Sequence, residues 1–194
     1  MNFQKWFPTI ISISENLLNE EENQKLINLS KQVSHIAKRG GDNWISKSVY
    51  NTQSTYNLIK DKNFNFFIDK VSEKVQEHAK HLKSNYLYKC QEAWLNTYTN
   101  KDYQEFHCHA GSVFSAVYYI ANPKKGGRIF FENPTEPDMI PLRDIKEFNN
   151  DNSALCNYQP DPGTLLIFRS NIRHMVEPIE TEETRATIAL NFGY

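Results

Sequence analysis

Three histidines are the side chains in this sequence that are best placed to bind a metal. His107 and His109 are separated by Cys108 alone, and His174 follows much later in the chain. If residues 107–109 form a strand, His107 and His109 project to one face and Cys108 to the other. An imidazole from a distant strand would complete a facial triad, which leaves neighbouring coordination positions free for other ligands. The spacing therefore predicts a metal site at His107, His109 and His174.

A second group of residues predicts a carboxylate-binding site beside this metal. Arg185 is far enough along the chain from His174 for a turn and a return strand between them. Its planar guanidinium suits a carboxylate that is held through two hydrogen bonds. Thr187 shares the same face of the strand, so its hydroxyl can donate a further hydrogen bond. Arg185 and Thr187 are therefore predicted to bind a carboxylate together.

Each of these features also has a purely structural interpretation. Two histidines on a strand can lie on a polar sheet face or bind structural zinc. A closed zinc site needs a fourth protein ligand, and Cys108 would point away from it. We interpret His35, His78 and His81 as histidines that bind no metal, with His78 at the edge of the core. The functional interpretation therefore depends on the motifs that surround the three candidate ligands.

Motifs in a recognisable order extend over nearly the whole chain. They are Trp6-Phe7-Pro8-Thr9-Ile10, Trp94-Leu95-Asn96, Tyr118-Tyr119, Gly126-Gly127 before Ile129-Phe130-Phe131-Glu132, Pro162-Gly163-Thr164-Leu165, and Leu190-Asn191-Phe192. With these motifs the sequence resembles the 2-oxoglutarate/Fe(II)-dependent oxygenases. Within them it is similar to a small group that carries H-x-H where most relatives carry H-x-D.

The resemblance implies a reaction and a set of cofactors. Fe(II) would bind at the histidines, 2-oxoglutarate would place its distal carboxylate on Arg185, and dioxygen would be the co-substrate. The enzyme would hydroxylate a substrate that the sequence does not identify, with release of succinate and carbon dioxide. Tyr119 and Tyr98 would contact 2-oxoglutarate, although packing with a tethered hydroxyl is the structural alternative. Asn96 and Asn191 are further candidates beside the cofactor, because amides are unfavourable in strands unless they form hydrogen bonds.

His109 departs from the commoner pattern, in which a carboxylate stands at this position. Three interpretations follow: His109 ligates the metal directly, it stands aside and leaves a position open, or Asp102 or Glu105 completes the ligand set. The spacing favours direct ligation, since it places both rings of the H-x-H pair on one face. A site with three neutral imidazoles is more positive than one with a carboxylate and could prefer another metal, such as zinc.

Two other functions fit part of this pattern. A cupin-like metalloenzyme with three histidines would not use 2-oxoglutarate and would not require Arg185. A β-sandwich module with structural zinc would bind a metal without being an enzyme. Arg185 together with Thr187 favours the oxygenase over the cupin-like enzyme, and the lack of an obvious fourth ligand disfavours the zinc module.

Composition sets limits on the class of protein. A chain of 194 residues suits one domain over residues 1–194, with a helical support region at 1–89 and a β core at 90–194. A formal net charge of -1 gives no signature of nucleic-acid binding. Three cysteines without a C-x-x-C pair predict reduced thiols and a cytoplasmic location. We expect neither a signal peptide nor a membrane span, and we leave open whether the chain forms a homodimer.

Hydrophobic periodicity predicts two helices before a β-rich second half. The first starts with the acidic residues 20–22 and is expected to end at Gly40-Gly41, and the second covers about 61–82. Short apolar or alternating runs predict strands at 92–99, 113–121, 128–132, 163–169 and 185–192. We therefore expect a mainly β fold with flanking helices, namely a double-stranded β-helix (jelly-roll, cupin-like) in which the N-terminal helices buttress one sheet.

Two irregular segments have less specific predictions. Residues 44–58 are polar and aromatic, and we expect a strand or loop near the mouth of the site. Residues 133–159 are interpreted either as a solvated loop or as a flap over the substrate, because long loops often carry function.

Overall fold

The structure of the chain is a computed structural model that describes residues 1–41, 43–135 and 142–194. Ten strands and two α-helices form in these ranges. They are β1 Ile11–Ser14, α1 Glu20–Ile36, β2 Tyr50–Asn51, α2 Asn65–His81, β3 Lys89–Tyr98, β4 Gln104–His107, β5 Phe114–Ala121, β6 Ile129–Glu132, β7 Leu155–Tyr158, β8 Leu165–Arg169, β9 His174–Val176 and β10 Arg185–Gly193. The mainly β fold with flanking helices is therefore confirmed, and each of the five predicted strands is present with slightly shifted ends.

The strands form two antiparallel sheets that pack face to face. The larger has the order β1-β8-β5-β10-β3-β2, and the smaller has the order β4-β9-β6-β7. Val117 and Phe168 of the larger sheet belong to one apolar cluster with Ile129 and Phe131 of the smaller sheet. The interior between the sheets is therefore a packed core, and residues on this interior face of the larger sheet can line a site.

The helices cover the opposite face of the larger sheet. Leu26 and Val33 of α1 and Phe67 and Val71 of α2 are buried in one cluster with the outward-facing side chains of that sheet, such as Tyr118. Because successive strand residues alternate between faces, Tyr118 packs against the helices while Tyr119 enters the interior. The helices thus buttress one sheet, as predicted.

The first helix begins as predicted and ends earlier. The Asn19 side chain accepts from the Glu22 backbone, and the Glu22 carboxylate accepts from the Asn19 backbone, which closes a capping box. The helix ends at Ile36, so the prediction that Gly40 ends it was wrong. Gly40 has another role, since its N–H donates to the carbonyl of Asn51 at 2.7 Å and an added Cβ would meet a backbone oxygen at 2.0 Å. A close approach to β2 requires this glycine.

The second helix also starts later than predicted. Two short 3-10 turns, Leu58–Lys60 and Lys62–Phe64, precede α2, which begins at Asn65. His78 on this helix is buried, and its Nδ1 lies 2.6 Å from the Ser12 hydroxyl, while its ring meets Phe114 edge-on. It is therefore a core histidine, as predicted. No helix in the described part of the chain is long and apolar enough to cross a membrane.

Candidate active site

Three histidine rings converge at the edge of the smaller sheet. His107 is the last residue of β4 and lies directly opposite His174, the first residue of β9. The ring centroids are 4.2 Å apart for His107 and His174, 5.0 Å for His109 and His174, and 5.2 Å for His107 and His109. One ligand atom from each ring lies within 4.8 Å of the others. The sequence-predicted trio is thus brought together in a geometry that can hold one metal ion.

His109 reaches this cluster by a different route from the one that strand alternation suggests. The strand ends at His107, so Cys108 and His109 lie in the turn that follows, and the expectation of a strand over 107–109 was wrong. The backbone N–H of His109 donates to the carbonyl of Ser170 at 2.9 Å, which fixes the turn against the segment before β9. Cys108 is exposed, so its side chain still points away from His107 and His109.

In each of the three rings, the Nδ1 atom lies within hydrogen-bonding distance of an oxygen atom. The Nδ1 of His107 lies 2.8 Å from the carbonyl of Glu105, and that of His174 lies 3.0 Å from the carbonyl of Ile172. Because a carbonyl only accepts, both Nδ1 atoms carry the proton. In a neutral ring the Nε2 atom then holds a lone pair, which is the form that a metal requires.

The hydrogen bonds of His109 form a longer chain. Its Nδ1 lies 2.6 Å from Asn191 Oδ1, and Asn191 Nδ2 donates to Glu92 at 3.2 Å. The carboxylate of Glu92 fixes which end of the amide is the oxygen, so His109 is the donor in the first bond. The hydroxyl of Ser115 donates to the same oxygen at 3.0 Å and lies 2.8 Å from the hydroxyl of Ser170. The ring of His109 is thus held by a hydrogen-bonded network of four residues, namely Asn191, Glu92, Ser115 and Ser170.

Burial keeps these imidazoles neutral. Desolvation lowers the pKa of His107, and it lowers the pKa of His109 to about 4, against the opposing effect of the bond to Asn191. The pKa of His174 is lowered well below its usual value, first by burial and then by the two neighbouring histidines. All three rings are therefore neutral near pH 7, with the proton on Nδ1, and their Nε2 atoms are available to a metal.

The two carboxylates considered as replacements for His109 lie outside the cluster of candidate ligand atoms in the described residues. Asp102 accepts from the backbone N–H of Thr99 at 2.8 Å and also from the hydroxyls of Thr99 and Ser48. Glu105 accepts from the backbone N–H of Ile45 at 2.9 Å. The geometry therefore favours direct ligation by His109.

Arg185 lies on the interior face of β10 with most of its hydrogen-bonding capacity unused. Its side chain is 1% exposed, and no partner in the described residues bonds Nε or Nη1. Its Nη2 donates to the Tyr119 hydroxyl at a long 3.5 Å. The guanidinium carbon lies 4.9 Å from the centre of the Tyr98 ring and 5.3 Å from that of Tyr119. A buried cation with unpaired donors is costly, so this arrangement indicates a site for an anion.

The other residues predicted to contact 2-oxoglutarate surround this guanidinium. Thr187 is paired with Asn96 on one side and with Tyr119 on the other, and Arg185 is paired with Tyr98. Cross-strand partners share a face, so all five side chains project into the interior. Asn96 Oδ1 is buried without a partner in the described residues. Burial raises the pKa of Tyr98 to about 12 and raises that of Tyr119, so both hydroxyls keep their protons and can donate to an anion.

Sequence reasoning missed several residues of this site. It named Asn191 but not Ser115 or Ser170, whose hydroxyls extend the network around His109. A signal for Ser115 was present, because it shares strand parity with Val117 and Tyr119 on the interior face, where a polar residue needs a partner. Ser170 lies just after β8, and no local pattern marks its position.

A cavity of about 500 Å³ opens beside His107 and His109. The loop before β2 reaches it through Asn43 and Trp44, in agreement with the prediction for residues 44–58. The segment 133–159 contributes β7 at the far edge of the smaller sheet. Residues 136–141 lie outside the described part, and the flap interpretation stays a prediction.

The fold and the site together define a double-stranded β-helix with a metal-binding centre, and comparison with known proteins identifies the family. Residues 92–191 match the family model described as "Putative 2OG-Fe(II) oxygenase". This match covers more than half of the chain and shows that the chain belongs to that family of oxygenases. It is therefore an enzyme whose cofactors are Fe(II) and 2-oxoglutarate. A search of curated protein sequences gives no match.

Solved structures of several oxygenases share this fold. The epimerase SnoN, in complex with Fe3+, alpha ketoglutarate and nogalamycin RO, superposes with a TM-score of 0.71 at 11% identity, over 95% of this chain and 79% of that one. A Pseudomonas putida prolyl-4-hydroxylase gives 0.65 at 12% identity, over 95% and 92%. HygX from Streptomyces hygroscopicus, with nickel, 2-oxoglutarate and hygromycin B bound, gives 0.64 at 11% identity, over 95% and 83%. The double-stranded β-helix is thus confirmed.

Proposed function

We propose that this enzyme hydroxylates an organic substrate, with His107, His109 and His174 as the ligands of Fe(II) and Arg185 as the anchor of 2-oxoglutarate. One observation carries the proposal: three histidines whose ligand atoms converge lie in the same interior as a buried guanidinium, two of whose nitrogens have no partner in the described residues. Bound Fe(II) and 2-oxoglutarate would supply the activation of dioxygen, with release of succinate and carbon dioxide.

The protein's contribution is to hold and orient these groups. Arg185 would bind the distal carboxylate of 2-oxoglutarate through two charge-assisted hydrogen bonds, and Thr187 and Tyr119 would each donate one more. The ring of Tyr98 forms the wall beside that carboxylate, and Asn96 would contact it through its side-chain N–H groups. Fixed donors of this kind position the co-substrate before the reaction begins.

Aromatic packing would keep water away from the metal. The ring of Phe168 lies edge-on to His174 at 4.8 Å, and the ring of Phe131 lies 5.8 Å from it. Together with the apolar cluster between the sheets, these rings leave the cavity beside His107 and His109 as the approach to the metal. Substrate would enter through this cavity, while the aromatic rings and the apolar cluster on the other side of the histidines would limit wasteful reaction with solvent.

The two alternative functions fit less well. A three-histidine enzyme without 2-oxoglutarate gives no reason for a buried Arg185 with unpaired nitrogens. A structural zinc module needs a closed set of four ligands, and Cys108, the nearest candidate, is exposed. Membership of an oxygenase family also speaks against a module without activity. The single-domain organisation, a homodimer and the cytoplasmic location of a chain with three free cysteines remain predictions.

Succinate formation tests this function directly. The purified protein with Fe(II), 2-oxoglutarate and oxygen is expected to release succinate and carbon dioxide in equal amounts. His174→Gln and Arg185→Gln should each abolish release, whereas Arg143→Gln, at an exposed arginine, should not. Equal release from wild type and Arg185→Gln would contradict the proposal.

A further inference from the structure

The cavity beside the histidines has an acidic and polar wall. Glu92 and Glu105 lie on its lining, and among the described residues no lysine or arginine does. The indole rings of Trp44 and Trp94 lie on the same lining. Indole faces attract cations, and carboxylates bind them. The charge and the aromatic groups of this wall therefore favour a ligand with a positive charge.

Two buried oxygen atoms on this wall lack donors. The side chain of Gln104 is 3% exposed, and its Oε1 has no hydrogen-bond partner in the described residues. Glu105 uses Oε1 to accept from the backbone N–H of Ile45, while its Oε2 is buried without a described partner. A buried acceptor without a donor costs free energy, so native proteins seldom leave one unless a ligand or water completes it. Both atoms therefore call for N–H or O–H donors from a bound molecule.

A bulge in β4 places Gln104 on the same face of the strand as His107. Gln104 is paired with Val176 and His107 with His174, so β4 has one more residue than β9 over this stretch. His174 and Val176 share a face, and Gln104 and His107 must therefore share it too. Without the bulge, the odd spacing of Gln104 and His107 would put them on opposite faces. Bulges next to active sites commonly redirect a side chain in this way.

We propose that the substrate carries a protonated amine or guanidinium close to the carbon that is oxidised, and that Gln104 and Glu105 bind its N–H groups. This inference rests on the proposed function, because it assigns the substrate class of the same site. A second cavity of about 530 Å³ shares Gln53, Glu92 and Trp94 with the first. It offers room for the rest of the substrate beyond the cationic group.

Matched pairs of cationic and neutral probes test the inference by equilibrium binding. N-acetyl-L-arginine amide is compared with N-acetyl-L-citrulline amide, and N-acetyl-L-lysine amide with N-acetyl-L-norleucine amide, so that only the side chain differs in charge within these pairs. L-norleucine amide is compared with N-acetyl-L-norleucine amide to test an α-ammonium group, and an acetylated Gly-Arg-Gly amide tests whether the cation belongs to a peptide. Each probe is titrated calorimetrically without oxygen, into protein with and without Fe(II) and 2-oxoglutarate. At least one cationic probe is expected to bind about ten-fold or more tightly than its neutral partner, since a site built for hydrogen bonds rejects analogues that lack them.

Variants show whether the named residues cause this selectivity. Glu105→Gln keeps an acceptor for Ile45 and removes the charge, so the preference for the cationic probe should fall towards one. Glu73→Gln, at an exposed position on α2, should keep the wild-type preference. Equal affinity within every pair, no binding of any cationic probe at millimolar concentration, or an unchanged preference in Glu105→Gln would overturn the inference.

The two proposals fail in different ways. Cation selectivity that depends on Glu105 would support the inference even if the protein formed no succinate, because it is measured as binding. A protein that converts 2-oxoglutarate but shows no cation selectivity would retain the proposed function and lose the substrate class.

Discussion

The two ends of the interior face of β10 differ in how completely their polar groups are paired. At one end, Asn191 accepts from His109 and Ser115 and donates to Glu92, so both polar atoms of its amide have partners. At the other end, Arg185 is equally buried, yet two of its three nitrogens lack described partners. The polar groups around Asn191 are therefore paired within the protein, whereas the guanidinium of Arg185 needs an anion to pair its remaining nitrogens.

This difference separates two kinds of residue. Residues around Asn191 are expected to act by orienting His109. Changing them should therefore lower the affinity for the metal and leave the binding of the carboxylate to Arg185 intact. Residues around Arg185 are proposed to bind the co-substrate itself, so changing them should weaken the binding of 2-oxoglutarate and leave the metal in place.

The largest effect is expected at the metal. His174→Ala removes one of three ligands from a buried site, so the variant should retain no metal after dialysis, as measured by elemental analysis. His35→Ala, at an exposed histidine on α1, is the control and should bind one metal ion per chain. Stoichiometric metal in the His174 variant would refute the triad.

At the other end of β10, removal of the Arg185 side chain should weaken the binding of 2-oxoglutarate without loss of the metal. Loss of one partner of a buried charge-assisted pair costs on the order of 2 to 5 kcal/mol. A ligand at a hundred times its Kd stabilises a protein by about 2.7 kcal/mol, so 2-oxoglutarate should raise the Tm of metal-loaded wild type but scarcely that of Arg185→Gln. The same Tm increase in both proteins would place the anchor elsewhere.

A smaller effect separates the roles proposed for His109. If His109 ligates the metal, His109→Asp still offers a ligand and should bind Fe(II), whereas His109→Ala should bind it more weakly. Anaerobic titration with Fe(II) measures both. Equal affinity for wild type and His109→Ala would show that His109 stands aside.

The smallest effect should come from the residues that hold the ring of His109 but do not bind the metal themselves. Asn191→Leu removes the acceptor of His109 Nδ1, and loss of such a partner typically costs about 10- to 100-fold in metal affinity. Ser115→Ala leaves that bond intact and should cost less. Metal competition with a chelator gives both values, and a larger loss for Ser115→Ala would contradict the order of importance in this network.

Much of this molecule could be predicted from local sequence. The strands at β3, β5, β8 and β10 carry long apolar or alternating runs, and such runs determine which face is buried. The interior positions of Arg185, Thr187 and Tyr119 follow from parity within two of these strands. Local periodicity is therefore sufficient where a strand is long.

The remaining features depend on contacts between distant segments. β2 has two residues and β9 has three, which is too short for any periodicity to show. The bulge in β4 is defined by its pairing with β9, and the turn at His109 by its bond to Ser170. Beyond the end of α1, the backbone of Gly40 likewise bonds Asn51 of β2. None of these partners lies close by in sequence, so no local pattern encodes them.

A binding cycle can measure whether Arg185 recognises the distal carboxylate of 2-oxoglutarate. Metal-loaded wild type and Arg185→Gln are each titrated, without oxygen, with 2-oxoglutarate and with 2-oxobutyrate, which lacks that carboxylate. Wild type should prefer 2-oxoglutarate strongly, and the preference should nearly vanish in Arg185→Gln, because the variant and the shorter ligand remove the same interaction. An undiminished preference in the variant would contradict the account.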